Sequence, residues 1–534
     1  MTATYRVLVA DQIALDGLAP LRDDDRFELV VKPGLKGAEL ADAIAAADAV
    51  LVRSATQITR ESLARANGLR VIGRAGVGVD TIDVDAATER GIAVLTAPAG
   101  NTISAAELTL ALTLALARRV SAADRSMKAG QWDRKSFSGT ELYGKTLGLV
   151  GAGRIGGEVA KRARAFGMQV IAFDPFLIAD RASSLGIERA ELDDLLRRAD
   201  VVSLHVPLTD ATAGLLGDRE LALMKPTAVI VNAARGGVVR EDSLVRALKE
   251  KRIAGAALDV FEQEPLPADH PLRTLDNVVL TPHLGASTAE AQQNVAMEIA
   301  EAVRGALLDG DLSRAVNAPG LGGDEMRRLR PLLNLAERIG ILTAALAEGG
   351  IGRLEIRYAG AEANGLQLIT ATVVAAALSR VVGARRVNTV NAPHVAAAHG
   401  IRVDQIRLDS RDAFAEQLEV RATTDAGETR VAGALLGASH PRIVRVDDFR
   451  VDMVPQGTLL VLRNQDVPGV IGRVGTVLGN AGINIAGYHQ SRLGAGGDAL
   501  AVVSLDARVD PSVLETLAAL PEVHSVRQVQ FDQS

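Results

Sequence analysis

Three short segments carry residues suited to acid–base chemistry beside a bound anion: Asn232-Ala-Ala-Arg235-Gly-Gly, Ala257-Leu-Asp259-Val-Phe-Glu262-Gln-Glu264-Pro and Thr281-Pro-His283-Leu-Gly285-Ala. An imidazole titrates near neutral pH, so His283 can take a proton from a substrate hydroxyl or return one to a carbonyl. A carboxylate beside it, such as Glu264, would hold the ring and favour its charged form. Arg235 offers a planar fork of donors that matches a carboxylate. Together the three suit hydride removal from a hydroxyl-bearing carbon: the arginine holds the substrate and polarises its oxygen, and the histidine takes the hydroxyl proton. Taken singly, Arg235 reads equally as a surface arginine, Glu264 as a loop carboxylate and His283 as a core histidine. Their succession just beyond three apolar runs favours the chemical reading.

Upstream, Gly151-Ala-Gly153-Arg154-Ile155-Gly156 follows the apolar run TLGLV and opens a helical pattern, and the next apolar run ends at Asp174. In such a unit the first glycine permits a tight turn, the second lets the backbone approach a pyrophosphate, and the third lets helix and strand pack closely. The helix N-terminus attracts the phosphates. Asp174 would accept hydrogen bonds from ribose hydroxyls and repel an extra phosphate there, so NAD is expected rather than NADP.

These groups need strands to carry them. YRVLVAD, FELVVK, DAVLVRS, LRVIGRAG and IAVLTAP form one series of apolar runs. KTLGLVGAGRIG, MQVIAFD, ADVVSLHVP, AVIVNAARG, GAALDVF and NVVLTPH form a second. Apolar strands separated by helices indicate parallel α/β sheets, which bind ligands beyond the carboxyl ends of their strands. The apolar stretch Ile103–Ala117 reads as a buried helix at a domain or subunit contact. A long helical pattern follows His283 to about Leu308, and SRAVNAPGLGG reads as an extended exit. Beyond it RLEIRYAG, LITATVVAAAL, VNAPHVAAAHG, EQLEVRATT and RIVRVDDFRVDMV suggest a small α/β domain. Residues after PQG alternate in the βαββαβ order of a ferredoxin-like module.

The whole chain sets limits on these readings. At 534 residues it exceeds one core. Hydrophobic residues at 48% and charged residues at 23% are ordinary for a globular protein, and aromatics at 3% leave the cores to Ala, Val, Leu and Ile. A net charge of −6 argues against nucleic acid as the main partner. With no cysteine, disulfides and thiolate chemistry are excluded. No metal site is indicated, and the amino-terminal residues lack the apolar centre of a signal peptide. A cytoplasmic enzyme without a membrane segment is expected.

VRSAT, VIGRAGVGVDTID, NTISAAELTLAL, WDRKSFSGTELYGKTLGLVGAGRIG, NAARGG, GAALDVFEQEP and PHLGAST resemble the D-isomer-specific 2-hydroxyacid dehydrogenases. Within that family the likeness is to the long branch that oxidises 3-phosphoglycerate. The resemblance implies two doubly wound, Rossmann-like or flavodoxin-like α/β domains forming the catalytic unit, then an intervening α/β domain and a ferredoxin-like ACT domain. The implied boundaries are a discontinuous substrate domain (1–98 and 290–318), an NAD domain (99–289), an intervening domain (319–455) and the ACT domain (456–534). It further implies that Arg235, Glu264 and His283 are catalytic. Arg154, Ile155, Asp174, Ala233, Ala234, Arg235, Asp259, His283, Gly285 and Ala286 would line the NAD site, with Asp259 at the nicotinamide amide. Arg53, Ser54, Gly76, Val77 and Gly78 would hold the substrate. Arg134 and Lys135 would reach a neighbouring subunit's phosphate pocket, or are solvated surface charges.

In the last module Asn464-Gln-Asp466-Val-Pro-Gly469 and Asn484 resemble the ACT ligand positions, which implies L-serine as a feedback effector bound between paired copies; a module that only dimerises is the other reading. Arg442, Arg445 and Arg450 read as an ordinary solvated strand face or an anion site. The assembly implied is a homodimer through the NAD domains, extending to a tetramer. The product would be 3-phosphohydroxypyruvate, the first intermediate on a route from 3-phosphoglycerate to serine. Alternative readings are a glycerate or hydroxypyruvate reductase, an added activity on 2-oxoglutarate, or an NAD-sensing regulator, the last disfavoured by the complete Arg, Glu and His set.

Overall fold

Runs of Val, Leu and Ile make both faces of a strand apolar, so such strands pair in parallel with helices over each face. The computed structural model describes residues 4–360, 362–382, 387–408, 416–437 and 439–531 and contains two sheets of this kind. In the first, β1 (Tyr5–Val9), β2 (Phe27–Val31), β3 (Ala49–Val52), β4 (Val71–Arg74) and β5 (Ala93–Thr96) pair in parallel in the order β2-β1-β3-β4-β5. The second comprises β6 (Thr146–Val150), β7 (Gln169–Phe173), β8 (Glu188–Arg189), β9 (Val201–Leu204), β10 (Val229–Asn232), β11 (Gly255–Leu258) and β12 (Val278–Leu280), in the order β12-β11-β10-β9-β6-β7-β8. Six of these seven strands correspond to the apolar runs. The two-residue β8 is too short to leave a pattern.

The chain crosses between the sheets twice. Helix Thr102–Ala117 leaves the first sheet and packs on the second, burying Ala106, Leu110 and Leu112 with Leu147, Leu149 and Val159. Helix Ala289–Asp309 returns, placing Val295, Ile299 and Val303 in one core with Val7, Leu51 and Leu95. The extended segment after it runs antiparallel to β5, with the Thr96 amide donating to the Arg314 carbonyl at 3.1 Å and the Val316 amide to the Val94 carbonyl at 2.9 Å. The first sheet is therefore completed by a segment some two hundred residues further along the chain than its last strand.

The next unit is a six-stranded sheet, β13 (Ile351–Ala359), β14 (Arg402–Arg407), β15 (Gln417–Thr424), β16 (Gly427–Leu436), β17 (His440–Val446) and β18 (Phe449–Met453), in the order β14-β13-β15-β16-β17-β18. Helices Gly323–Leu346 and Leu366–Val382 share its core. Two features depart from expectation. The 24-residue helix Gly323–Leu346 is not among the expected elements; it starts at a glycine and contains Pro331, both of which disfavour a helix locally. Its Leu332, Leu335, Ala336, Ile339 and Leu342 nevertheless recur at helical spacing and are buried. RIVRVDDFRVDMV is a hairpin and not a single strand, turning at Asp447, whose φ of 50° is one that aspartate tolerates better than most residues. Arg445 and Arg450 face each other across that hairpin, and the Arg442 guanidinium lies 3.5 Å from Asp452.

The last unit, β19 (Thr458–Gln465), β20 (Ile485–Arg492), β21 (Asp498–Leu505) and β22 (Val523–Gln530), is antiparallel in the order β20-β21-β19-β22, with helices Val470–Asn480 and Pro511–Ala518 inserted in the ferredoxin-like order. Its two central strands, β21 and β19, are apolar on both faces, with side chains alternating. Leu460, Leu462, Ala501 and Val503 pack under its own helices, whereas Leu459, Val461, Leu500 and Val502 join the core of the six-stranded unit. Among the described residues, no helix is long and apolar enough to cross a membrane.

Candidate active site

The carboxyl ends of both parallel sheets face one cleft of about 660 Å³. β10 delivers Arg235 to it, β11 leads to Glu264, and β12 delivers His283, while β3 and β4 deliver Arg53, Ser54 and the turn at Gly76, Val77 and Gly78. The three expected catalytic groups thus meet in a single space. His283 Nδ1 lies 2.7 Å from Glu264 Oε2, and both side chains are partly exposed. With the proton on Nδ1 and the carboxylate as acceptor, Nε2 is left to accept a proton. The second Glu264 oxygen accepts from the Phe261 amide at 3.1 Å.

His283 sits in the left-handed region, with φ of 54°. What holds it there is Asp259, which is wholly enclosed. One Asp259 oxygen accepts from Thr281 Oγ1 at 2.6 Å and the Leu284 amide at 2.7 Å, and the other from the Gly285 amide at 2.9 Å. Asp259, the residue expected at the nicotinamide amide, thus has its carboxylate committed to the loop that presents His283. Asp11 does the same work in the other domain. Its buried carboxylate accepts from the Arg53 amide at 2.6 Å, the Thr56 amide at 3.2 Å and Thr56 Oγ1 at 2.6 Å, which shapes the turn bearing Arg53 and Ser54. Buried carboxylates are stabilised by several donors in this way.

Arg235 extends into the cleft with its Nε 3.4 Å from Asp80 Oδ2 and its Nη1 donating to the Ala234 carbonyl at 2.7 Å. The Asn232 side chain braces the turn, donating to the Arg235 carbonyl and accepting from the Ala234 amide. A Cβ on Gly78 would lie 2.1 Å from Arg235 Nη2, so a larger residue there would displace the guanidinium. Sequence reasoning missed Arg74, which closes the cleft beneath this turn. Its guanidinium is largely buried, and a Cβ at Gly76 would overlap it at 1.4 Å. Burial, then the neighbouring Arg235, lowers its pKa to about 10. Its Nε has no hydrogen-bond partner among the described residues. A largely buried arginine facing two more, Arg53 and Arg235, makes the cleft cationic and suited to a substrate with more than one anionic group. Asn101 and Gln292, also overlooked, line the same cleft, and Asn101 Oδ1 is buried without a partner among the described residues. Arg74 and Asn101 lie inside the segments VIGRAGVGVDTID and NTISAAELTLAL that carry the resemblance, but their residue types alone gave no sign of a place in the cleft. Arg134 and Lys135 are exposed and do not line this cleft.

The glycine turn fits a dinucleotide. Gly151 has φ of 93°, and a Cβ would lie 2.7 Å from the His205 carbonyl; at Gly156 it would lie 2.3 Å from the Gly151 carbonyl. Gly153 opens onto free space at the start of helix Arg154–Ala165, whose first-turn amides have no side-chain cap. Asp174 accepts from the Ala152 amide at 2.9 Å and the Phe176 amide at 2.8 Å, so it ties the glycine turn to the end of β7. Ile155, Ala233, Ala234, Gly285 and Ala286 line the cleft between this turn and His283. Beside the turn, His205 lines the cleft; its ring contacts Ser203 Oγ at 2.9 Å, and burial lowers its pKa to about 4.

The four residues expected to bind an effector, Asn464, Asp466, Gly469 and Asn484, do not all meet within one chain. Asp466 accepts from Arg492 Nη1 at 2.9 Å and Gln490 Nε2 at 3.2 Å, beside Asn464 and the helix start at Gly469. Asn484 donates to Asp506 at 2.7 Å. Register places Gln465 opposite Asp498 and Ile485 opposite Leu505, so Asp466 and Asn484 stand at opposite ends of β21.

Comparison with known proteins agrees with this architecture. Residues 110–285 match the D-isomer specific 2-hydroxyacid dehydrogenase NAD binding domain, 328–447 the D-3-phosphoglycerate dehydrogenase intervening domain, and 458–522 the ACT domain. The D-3-phosphoglycerate dehydrogenase of Synechocystis is 44% identical, covering 98% of this chain and 93% of that one. That of Methanocaldococcus jannaschii is 42% identical, covering 98% and 100%, respectively. A solved Thermus thermophilus protein, 41% identical, superposes with a TM-score of 0.53 over 58% of this chain and 99% of its own. An NAD-dependent formate dehydrogenase of Staphylococcus aureus in complex with NAD, 29% identical, gives 0.51 over 57% and 96%. With NAD as cofactor and an ACT module for ligand-dependent regulation, the chain belongs to the D-3-phosphoglycerate dehydrogenase family of D-isomer specific 2-hydroxyacid dehydrogenases.

Proposed function

We propose that this cleft oxidises D-3-phosphoglycerate at C2 to 3-phosphohydroxypyruvate, the entry step of serine synthesis. NAD, when bound, supplies the nicotinamide ring that accepts the C2 hydride. Arg235 holds the substrate carboxylate and the C2 oxygen, and His283 Nε2 takes the hydroxyl proton as the hydride leaves. Glu264 then faces an imidazolium across the 2.7 Å contact and stabilises it. That contact, in the same cleft as Arg235, is the observation that carries the reading. Arg53 and Arg74 supply further positive charge, with Ser54 and the turn at Gly76, Val77 and Gly78 shaping the pocket. Arg134 and Lys135 serve the phosphate of a neighbouring subunit's substrate.

The test is NADH formation from 3-phosphoglycerate in alkaline buffer with hydrazine trapping the keto product. His283→Asn should lower turnover by about 10²- to 10⁴-fold while NADH binding persists. Faster oxidation of glycerate than of the phosphorylated acid would assign the cleft to an unphosphorylated substrate.

The assembly proposed is a dimer through the NAD domains, within a tetramer, in the cytoplasm. Val120, Met127, Trp132 and Tyr143, all exposed, offer apolar surface for that contact. L-Serine is proposed as the feedback effector, held between Asn464, Asp466 and Gly469 of one copy and Asn484 of another. Serine titration of the rate tests this, and a response unchanged by Asp466→Ala would move the effector site elsewhere.

A further inference from the structure

Two glutamates outside the cleft join the loops that carry Arg235 and Glu264. The Glu241 amide donates to Glu262 Oε1 at 2.9 Å, and the Glu262 amide donates to Glu241 Oε1 at 2.6 Å. The exchange is reciprocal: each carboxylate satisfies the backbone of the other residue. Glu241 begins helix Glu241–Lys249, six residues after Arg235, so its amide is one of the donors a helix start leaves free. Glu262 lies two residues before Glu264 and brings its negative charge to that helix start. The free Glu241 oxygen lies 3.2 Å from His270 Nε2, while His270 Nδ1 accepts from the Leu272 amide at 3.3 Å, which leaves the ring proton on Nε2 to close the far side. The Glu241 side chain is almost enclosed; burial pushes its carboxyl up and the Glu262 amide holds it down.

The same two loops touch at a second point. A Cβ on Gly236 would lie 1.9 Å from the Phe261 carbonyl, so backbone meets backbone immediately after Arg235. The Phe261 amide, on the other side of that residue, donates to Glu264. A path of short contacts therefore runs from the Glu241 and Glu262 pair, through the Phe261 peptides, to the Glu264 carboxylate that faces His283.

We propose that Glu241 and Glu262 form a reciprocal clamp that sets the Arg235 loop and the Glu264 loop in register, making Glu262 a positioning residue for the hydride transfer that acts through Glu264. This rests on the proposed roles of Glu264 and His283. Neither glutamate lines the cleft. Their contribution is geometric: a displacement of about 1 Å in a catalytic contact can cost on the order of a hundredfold in rate.

Two conservative substitutions separate reach from charge. Glu262→Asp keeps the charge but is one methylene too short to reach the Glu241 amide. Glu262→Gln keeps the length and an acceptor oxygen. In the full-length enzyme with 3-phosphoglycerate, Glu262→Asp should lower kcat by about tenfold to a hundredfold. NADH affinity should stay within about threefold, and Glu262→Gln should retain most of kcat. Each substitution is repeated in a Glu264→Gln background, where Glu262→Asp should cost little more, because the residue it acts through is already changed. Full activity of Glu262→Asp, a greater loss in Glu262→Gln, or an equal loss in both backgrounds would overturn the clamp. A fully active Glu264→Gln enzyme would instead overturn the active-site reading beneath it.

Discussion

Gly78, in the turn beyond β4 of the first sheet, and Arg235 of the NAD-binding domain meet across the cleft so closely that a Cβ on Gly78 would lie 2.1 Å from Arg235 Nη2. The contact spans two domains, so the arginine that is to hold the substrate is shaped by a turn more than a hundred residues away. Gly78 does not have a positive φ, so the constraint is steric and not conformational.

Gly78→Ala is accordingly expected to displace the Arg235 fork without disturbing the glycine turn at Gly151. The KM for 3-phosphoglycerate should rise by about tenfold or more, as bidentate geometry is lost. NADH binding, followed by its fluorescence, should be unchanged. An unaltered KM would show that the turn yields and the fork stays.

Asp259 offers a local stability prediction. Its carboxylate accepts from Thr281 Oγ1 and the Leu284 and Gly285 amides in a wholly enclosed position. Asp259→Ala leaves these donors unpaired, at about 1–3 kcal/mol for a buried polar group. Amide hydrogen exchange at Leu284 and Gly285 should accelerate by one to two orders of magnitude, roughly, and turnover should fall with the loss of the His283 turn. Unchanged exchange would place the restraint elsewhere.

His205 sets an acid limb on stability. Burial lowers its pKa to about 4 from the ordinary 6.5, so the folded protein keeps it neutral where the unfolded chain binds a proton. Between these pH values the unfolded chain takes up more protons, and folded stability falls as pH falls. The loss reaches about 2 kcal/mol by pH 5. His205→Gln, which can still contact Ser203, should show a shallower decline in melting temperature from pH 7 to 5. Parallel declines would assign the acid sensitivity to other groups.

The separation of Asp466 from Asn484 along β21 predicts complementation. Asp466→Ala and Asn484→Ala enzymes should each lose serine inhibition. After the two are mixed and reassembled, a site shared between copies would receive one intact half from each, and inhibition should return in part. No recovery in verified mixed oligomers would argue for a site within one chain.

Much of this molecule was legible from local pattern. The glycine turn, Asp174 and the strand ends carrying Arg235, Glu264 and His283 depend on chain turns and on apolar runs of a few residues, which neighbours in sequence determine. The βαββαβ order of the last unit is equally local, as its strands and helices are bounded by capping residues and glycine turns. Helix Gly323–Leu346 was obscured by Pro331, although its apolar spacing was present, because a helix is stabilised by the face it buries more than by its propensity.

Other features exist only once distant segments meet. Arg74 ends an ordinary apolar strand, and its burial arises because Gly76 folds over it and Arg53 and Arg235 arrive from elsewhere. Asp11 and Asp259 look like strand-end acids, yet each becomes a buried acceptor for a loop that its sheet brings alongside. The amino-acid sequence determined which groups the chain could bring to a reaction, since residue type and local turn chemistry are written there. Tertiary structure decided which of those groups face the cleft and which stand behind it, because burial and hydrogen-bond partnership are properties of segments far apart in the chain.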